Sequence, residues 1–361
     1  MNYPVWELNA AGGGLLIAVI AVIHVYIAHF AVGGGLLLVL TEIKARRSGS
    51  ASLMAHTRRH AKFFMLLTMV GGAVTGVGIW FTIALLNPAA TSVLIHTFVF
   101  GWATEWVCFL GEIVALIVYY YGFDRLNARD HLRVGWLYFI FAWLSLFWVN
   151  GIIDFMLTPG AWPDAGGFWV GFFNPSMLPA LGFRTALCLV FAGVFGMTTA
   201  VWFKGLPDEE RSELVCYHAG WLIYPMFAAG LFGAWYGYAL PAEVQAMIAG
   251  QSPELGLYCQ GLIILPLILM SLGVIGMVRF AIPLRKPLTC VIVIAGLVTM
   301  GSFEFLREGA RRPYAIHGVL YANAIKGADR EKIDAEGFLT HARWVSVKKI
   351  TDANRLTAGK E

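Results

Sequence analysis

The side chains best able to do chemistry lie where their kind is rare, inside apolar runs. His24 sits mid-run in AVIAVIHVYIAHF, with His29 five residues on. Glu105 and Glu112 share the run EWVCFLGEIVALIVYYY, and Asp154, Arg184, Glu304, Arg307 and Glu308 interrupt others. An ionisable group at the centre of a membrane helix costs roughly 2.5–3.5 kcal/mol on insertion scales, so each one calls for a reason. His24 is either a histidine hydrogen-bonded to a neighbouring helix or a ligand to haem iron, for which neutral imidazole is suited. His29 lies about 140° around a regular helix from His24, so the two cannot face one metal, and a structural role is expected for it. Glu105 and Glu112 are two turns apart on one helix face. That placement suits a haem-proximal carboxylate and a proton relay, or an ion pair with a buried base such as Arg184. Glu304 and Glu308, one turn apart, stand close to Arg307, Arg311 and Arg312. Such a cluster is either a surface ion network or a site whose guanidiniums hold an anion such as a porphyrin propionate.

The elements that must position these groups are membrane helices. Of 361 residues 58% are hydrophobic and 13% charged, and the mean hydropathy is +0.69, far from a soluble composition. Spans are expected at roughly 11–42, 62–86, 95–121, 133–157, 182–204, 217–240, 257–283 and 288–308, as helices that satisfy their own backbone in lipid. The first lacks a basic leader and is too long for a signal peptide, so it is expected to be retained. Connections rich in Lys and Arg (43–62, 122–133, 204–216, 279–287) alternate with connections that have none (87–95, 158–180, 241–256). By the positive-inside rule both termini then lie outside the cytoplasmic membrane. The basic residues serve orientation, so the net charge of +4 does not suggest nucleic acid as a partner; membrane lipid is the expected surrounding. Five scattered cysteines without a CxxCH motif predict neither a disulfide framework nor a covalent c-type haem. The chain divides into a transmembrane bundle, 1–308, and a polar external tail, 309–361, expected to dock on partner subunits.

Several stretches together resemble subunit I of the cytochrome bd oxidases. They are AVIHVYIAHFAVGG, KFFMLLTMVGGAVTGVG, EWVCFLGEIVALIVYYYGFDRL, WVNGIIDFMLTPG with FFNPSMLP, and REGARRPYAIHGVLY. Their order and spacing cover most of residues 10–320. The last is similar to the family's E-x-G-R-Q-P-W signature, altered here to Glu308-Gly-Ala-Arg311-Arg312-Pro313-Tyr314. The resemblance implies an all-α bd-like bundle that carries haem b and haem d and reduces oxygen. It places His24 as an iron ligand, Glu308 as the carboxylate ligand of a high-spin haem and Arg311 in the signature beside it. It makes Glu112 the proton-channel glutamate, Glu105, one residue out of register, a second haem-site glutamate, and Asn150 a residue lining the proton path. A second membrane subunit, either subunit II-like or a subunit I homologue, is implied as partner.

The departures are as informative. Arg184 stands where the low-spin haem's histidine belongs, LYCQGLIILP lacks its methionine, and arginine does not ligate iron. The segment 241–256 is far shorter than the family's quinol loop, Glu304 replaces an aromatic residue, and no ninth helix follows. The expectation is therefore a high-spin di-haem site of haem b and/or haem d without the usual low-spin haem, fed from outside by a c-type cytochrome or a similar carrier. A redox conduit or quinone-reactive anchor without oxygen chemistry and a haem-free structural subunit remain the rival expectations.

Overall fold

The computed structural model describes residues 5–6, 8, 13–277, 285–341 and 346–359. Eight helices in it are long and apolar enough to cross a membrane. They are α1 (Gly13–Ser48), α2 (Ala51–Leu86), α3 (Val99–Gly122), α4 (Ala128–Asp154), α5 (Met177–Trp202), α6 (Asp208–Tyr238), α7 (Pro253–Met277) and α8 (Arg285–Gly309). The shortest has 24 residues and at 1.5 Å per residue spans about 36 Å, more than a hydrocarbon core of about 30 Å. The basic connections 43–62, 122–133 and 204–216 meet at one end of the bundle, called here the basic end, where Arg58 pairs with Asp124 and Arg59 donates to the Lys204 carbonyl.

Several helices extend past their expected limits. Residues 43–62, expected as a loop, are almost entirely helical: α1 runs on to Ser48, and Ser50 caps α2 by accepting the Leu53 N–H at 3.2 Å. The α6 helix begins at Asp208 because Asp208, Glu209 and Glu210 fill its first turn, where carboxylates favour the positive end of the helix dipole. The 278–283 part of the expected seventh span lies outside the described residues.

The central helix is α5, since 72% of its most apolar window is buried in protein, against 11–44% for the other spans. It is approached closely on two sides. A Cβ on Gly33 of α1 would lie 1.9 Å from the Cys188 carbonyl, and one on Gly193 would lie 2.5 Å from the Leu222 nitrogen of α6. Small residues are what let membrane helices pack backbone to backbone, because lipid supplies no hydrophobic drive between them. Around this axis a core of Phe30, Phe64, Phe191 and Leu222 is fully buried. Side chains such as Val74, Val77 and Leu231 face outward, as lipid-facing ones do.

A second, smaller core closes the end opposite the basic one. Phe98, Phe155 and Phe172, from the start of α3 and the 155–176 connection, are fully buried there. The tail joins them: β1 (Tyr314–Ile316) pairs antiparallel with β2 (Leu320–Tyr321), in register Tyr314↔Tyr321 and Ile316↔Leu320. Ile316 and Leu320 bury into the aromatic cluster, and the His317 N–H donates to the Met156 carbonyl at 2.9 Å. The first part of the tail thus docks on this chain's own bundle. Arg343 and Trp344 of the tail lie outside the described residues.

Candidate functional site

The two glutamates of α3 form part of a ladder between α3 and α4. Glu105 accepts from Ser145 Oγ at 2.7 Å, Glu112 from Tyr138 Oη at 3.1 Å, and the Tyr119 carbonyl meets His131 Nε2 at 2.9 Å. Each rung is seven residues, or two turns, from the next on both helices, which is the register of two antiparallel helices facing one another. The rungs run from the basic end (His131) toward the opposite end (Glu105). The ion pair between these glutamates and Arg184, open in sequence, is not made.

Arg184 has another carboxylate. Its side chain, 1% exposed, donates to Glu304 Oε1 at 3.2 Å and lies 4.9 Å over the Phe303 ring. Arg307 donates to Glu304 Oε2 from Nε (3.1 Å) and Nη2 (2.8 Å), so one buried carboxylate bridges two guanidiniums. Beside them Asp154, fully buried, accepts from Tyr236 Oη at 3.2 Å. Several enclosed polar atoms here have no hydrogen-bond partner among the described residues: Arg184 Nε and Nη2, Arg307 Nη1, Arg311 Nε, Asp154 Oδ2 and His29 Nε2. Leaving such an atom unpaired costs about 1–3 kcal/mol, and more for a charged group. The cluster gathers three guanidiniums and two carboxylates and leaves several of their polar atoms free.

The sequence-derived candidates are distributed as follows. His24 Nδ1 lies 3.0 Å from Thr75 Oγ1, and its ring faces Gly76 of α2; His29 turns instead toward α5, with its ring 6.2 Å from Phe191. The two histidines do face different neighbours. Glu308 stays at the surface with a 43% exposed side chain, paired with Arg312 at 2.9 Å, which in turn reaches Glu254 at 3.2 Å. The structure does not bring Glu308 and His24 together. Arg311 donates to the Ala315 carbonyl at 2.9 Å and reaches Met156 Sδ at 3.4 Å, pinning the tail to the bundle. Removal from water, with Arg307 nearby, pulls its guanidinium down to about 10. Asn150, fully buried, donates to the Met177 carbonyl at 2.9 Å and keeps Oδ1 unpaired, further along α4 than the Glu105 rung.

Two buried clusters were not legible as sites in the sequence. Glu42 is enclosed at the basic end, where it accepts from Arg46 Nε (2.7 Å), Tyr119 Oη (2.8 Å) and His131 Nδ1 (2.9 Å). His56 and His60, one turn apart on α2, meet His218 of α6, with His56 Nε2 and His218 Nε2 2.9 Å apart and His60 Nδ1 2.7 Å from Thr199 Oγ1. The H-x-x-x-H spacing was the available signal, but it falls in the stretch read as a loop.

Comparison with known proteins agrees with the geometry. The profile of the cytochrome bd terminal oxidase subunit I family matches residues 15–251. The fold is similar to that in the structure of bd oxidase from Geobacillus thermodenitrificans, with a TM-score of 0.72 at 18% identity, over 89% of this chain and 92% of that one. The identity is too low for that likeness to speak of more than the fold. No curated protein sequence matches significantly. The family profile covers well over half of the chain, so the chain belongs to the cytochrome bd terminal oxidase subunit I family.

Proposed function

We propose that this protein is the haem-containing membrane subunit of a bd-type oxidase-like respiratory complex, passing electrons from an outer-face donor, a c-type cytochrome, to oxygen. The basic end lies in the cytoplasm by the positive-inside rule, which sets both termini outside. The observation that carries the reading is the polar cluster in the outer half of the bundle, with its unpaired guanidinium and imidazole nitrogens.

The free guanidinium nitrogens fit propionates, which Arg307 and Arg311 would hold; His24, Glu308 and Glu105 stand apart from one another and are the ligand and haem-site candidates that the family resemblance supplies. Bound haem b or d supplies an iron that cycles between oxidation states and an open position for a diatomic gas. The chain's own residues supply the rest. Arg184 and Arg307 fix positive charge where electrons would arrive, and enclosure strengthens that field. Glu112 and Glu105 carry protons from the cytoplasm toward it, and Asn150 lines the far side of that path. The usual low-spin haem does not fit, because Arg184, in place of its histidine, is committed to Glu304. Electrons then bypass the quinol route, and the outer face receives the donor. A second membrane subunit, of the kind bd oxidases have, completes the complex.

The test is a spectrum and haem count of the purified complex, with oxygen uptake from an artificial donor. Wild-type protein should show a Soret band that responds to carbon monoxide, and His24→Ala should lose or shift one haem while still inserting. Glu112→Ala should slow turnover about tenfold or more with haem retained. A specific observation also supports a haem-free scaffold, namely that the Arg184–Glu304 pair closes part of the interior by itself; absence of any Soret band would leave that reading.

A further inference from the structure

The Tyr138 hydroxyl stands between two acceptors at nearly equal range, 3.0 Å from the Ala31 carbonyl and 3.1 Å from Glu112 Oε1. A phenol has one hydrogen to give, and a peptide carbonyl can only accept. When Glu112 is ionised it is the stronger acceptor and takes that hydrogen. When Glu112 is protonated it can donate to the phenol oxygen, which then turns its hydrogen to Ala31. Rotating one O–H therefore satisfies both states of Glu112 with no heavy atom moving. The ring cannot follow: it is 2% exposed, edge-on to Phe64 at 5.5 Å, and a Cβ on Gly35 would lie 2.4 Å from its Cε1.

On the basic-end side of Tyr138 runs a seam lined by Gly35, Val39, Leu116, Gly135 and Tyr119, too narrow for a standing water. Beyond it the Tyr119 hydroxyl is bonded to Glu42, which also holds His131 and Arg46. Glu42 is fully enclosed, but the Arg46 side chain is 31% exposed and reaches solvent. Titratable groups thus line the way from solution to Glu112, with Glu105 as the charged neighbour beyond it on the same helix.

We infer that Glu112 exchanges its proton with the basic-end solution through the Glu42–His131–Tyr119 network, which water reaches beside the Arg46 side chain, and through this seam, and that Tyr138 is the positioning residue that accommodates both protonation states. The inference deepens the proton role proposed above and rests on it only in that Glu112 changes protonation. The step is proton exchange alone: one hydron enters the carboxyl as one leaves, and nothing is oxidised. Transient widening of the seam on its Tyr119 and Leu116 side admits water for each transfer, while the Tyr138 ring stays in its packing.

Hydrogen–deuterium exchange of the Glu112 carboxyl tests this by infrared difference spectroscopy on the full protein in vesicles, its C=O band assigned by its loss in Glu112→Gln. Tyr138→Phe, which keeps the ring in its packing, should move that band to higher frequency and slow its exchange about tenfold. Glu42→Gln should slow the exchange about tenfold while leaving the band where it is, a result that mere structural support would not give. Should Glu42→Gln fail to fold, Tyr138→Phe alone decides. Wild-type exchange rates in both variants, or no Glu112 band at any pH, would overturn the inference. Neither haem nor oxygen enters the measurement, so a protein without oxygen reduction but with these exchange rates sinks the proposed function and keeps this one.

Discussion

At the basic end, Glu42 is fully enclosed, and its two oxygens take hydrogen bonds from Arg46, Tyr119 and His131. In the opposite half, Arg184 and Asp154 are as deeply enclosed, yet each keeps polar atoms without a partner, as does Arg307. Both regions place charge in low dielectric, where a satisfied network rigidifies and an unsatisfied one is costly. The Glu42 carboxylate is thus completed within the chain, whereas the Arg184–Asp154 cluster leaves polar atoms free among the described residues. The finished cluster ties helices α1, α3 and α4 together; the unfinished one is where the proposed haem site lies.

The comparison breaks most visibly at Glu304. Glu304→Gln strips the carboxylate from two guanidiniums and should destabilise the protein by about 3–5 kcal/mol, read as a fall in unfolding midpoint in detergent. Adding Arg184→Met to it should recover part of that loss, since it removes one of the two guanidiniums left without a carboxylate; no recovery would mean the pair is not coupled. Next in size is a ligand effect. If the unpaired donors serve haem, the haem-loaded protein at a hundredfold excess over Kd should gain about 2.7 kcal/mol over the haem-free form, and equal midpoints for the two forms would deny the cluster a guest. Glu42→Gln comes third, at about 1.5–3 kcal/mol, the worth of hydrogen bonds to a charged group. It should be insensitive to haem, because its network needs no guest; a haem-dependent loss would erase the contrast between the two regions.

The smallest effect is at the outer surface. There the Glu243 carboxyl is held below its usual range by its own backbone N–H and by His317, 3.1 Å away. A lowered carboxylate stabilises the fold above its unfolded value, roughly 4.3, and that contribution is lost as pH falls through the lower folded value. The contact is exposed and screened, so Glu243→Gln should cost less than about 1 kcal/mol at neutral pH. In acid below the folded value the midpoints of variant and wild type should converge. A gap that widens in acid would show the sign to be wrong.

The sequence by itself determined the solvent and the count of spans. Apolar runs of more than twenty residues leave the backbone no option but helix in lipid, and Lys and Arg at alternate connections order the ends. Seven-residue spacing also put Glu105 and Glu112 on one face, and the structure turns that face to Ser145 and Tyr138 of α4. Residues in the family's motif order, from His24 to Tyr314, carried the family assignment that the profile match shows. What the sequence could not convey was who meets whom across helices. Glu42 and His131 are 89 positions apart and Arg184 and Glu304 are 120 apart; no periodicity within one helix encodes such a pairing. The two buried basic-end clusters were hidden for a further reason: charge near a span end reads as loop, whereas α1 and α2 continue as helices and fold it inward. Tertiary packing alone decided that Glu304, rather than Glu308, turns into the interior. At one turn's separation the two carboxylates differ by only about 40° around α8, and it is the guanidiniums of Arg184 and Arg307 that select the inner one.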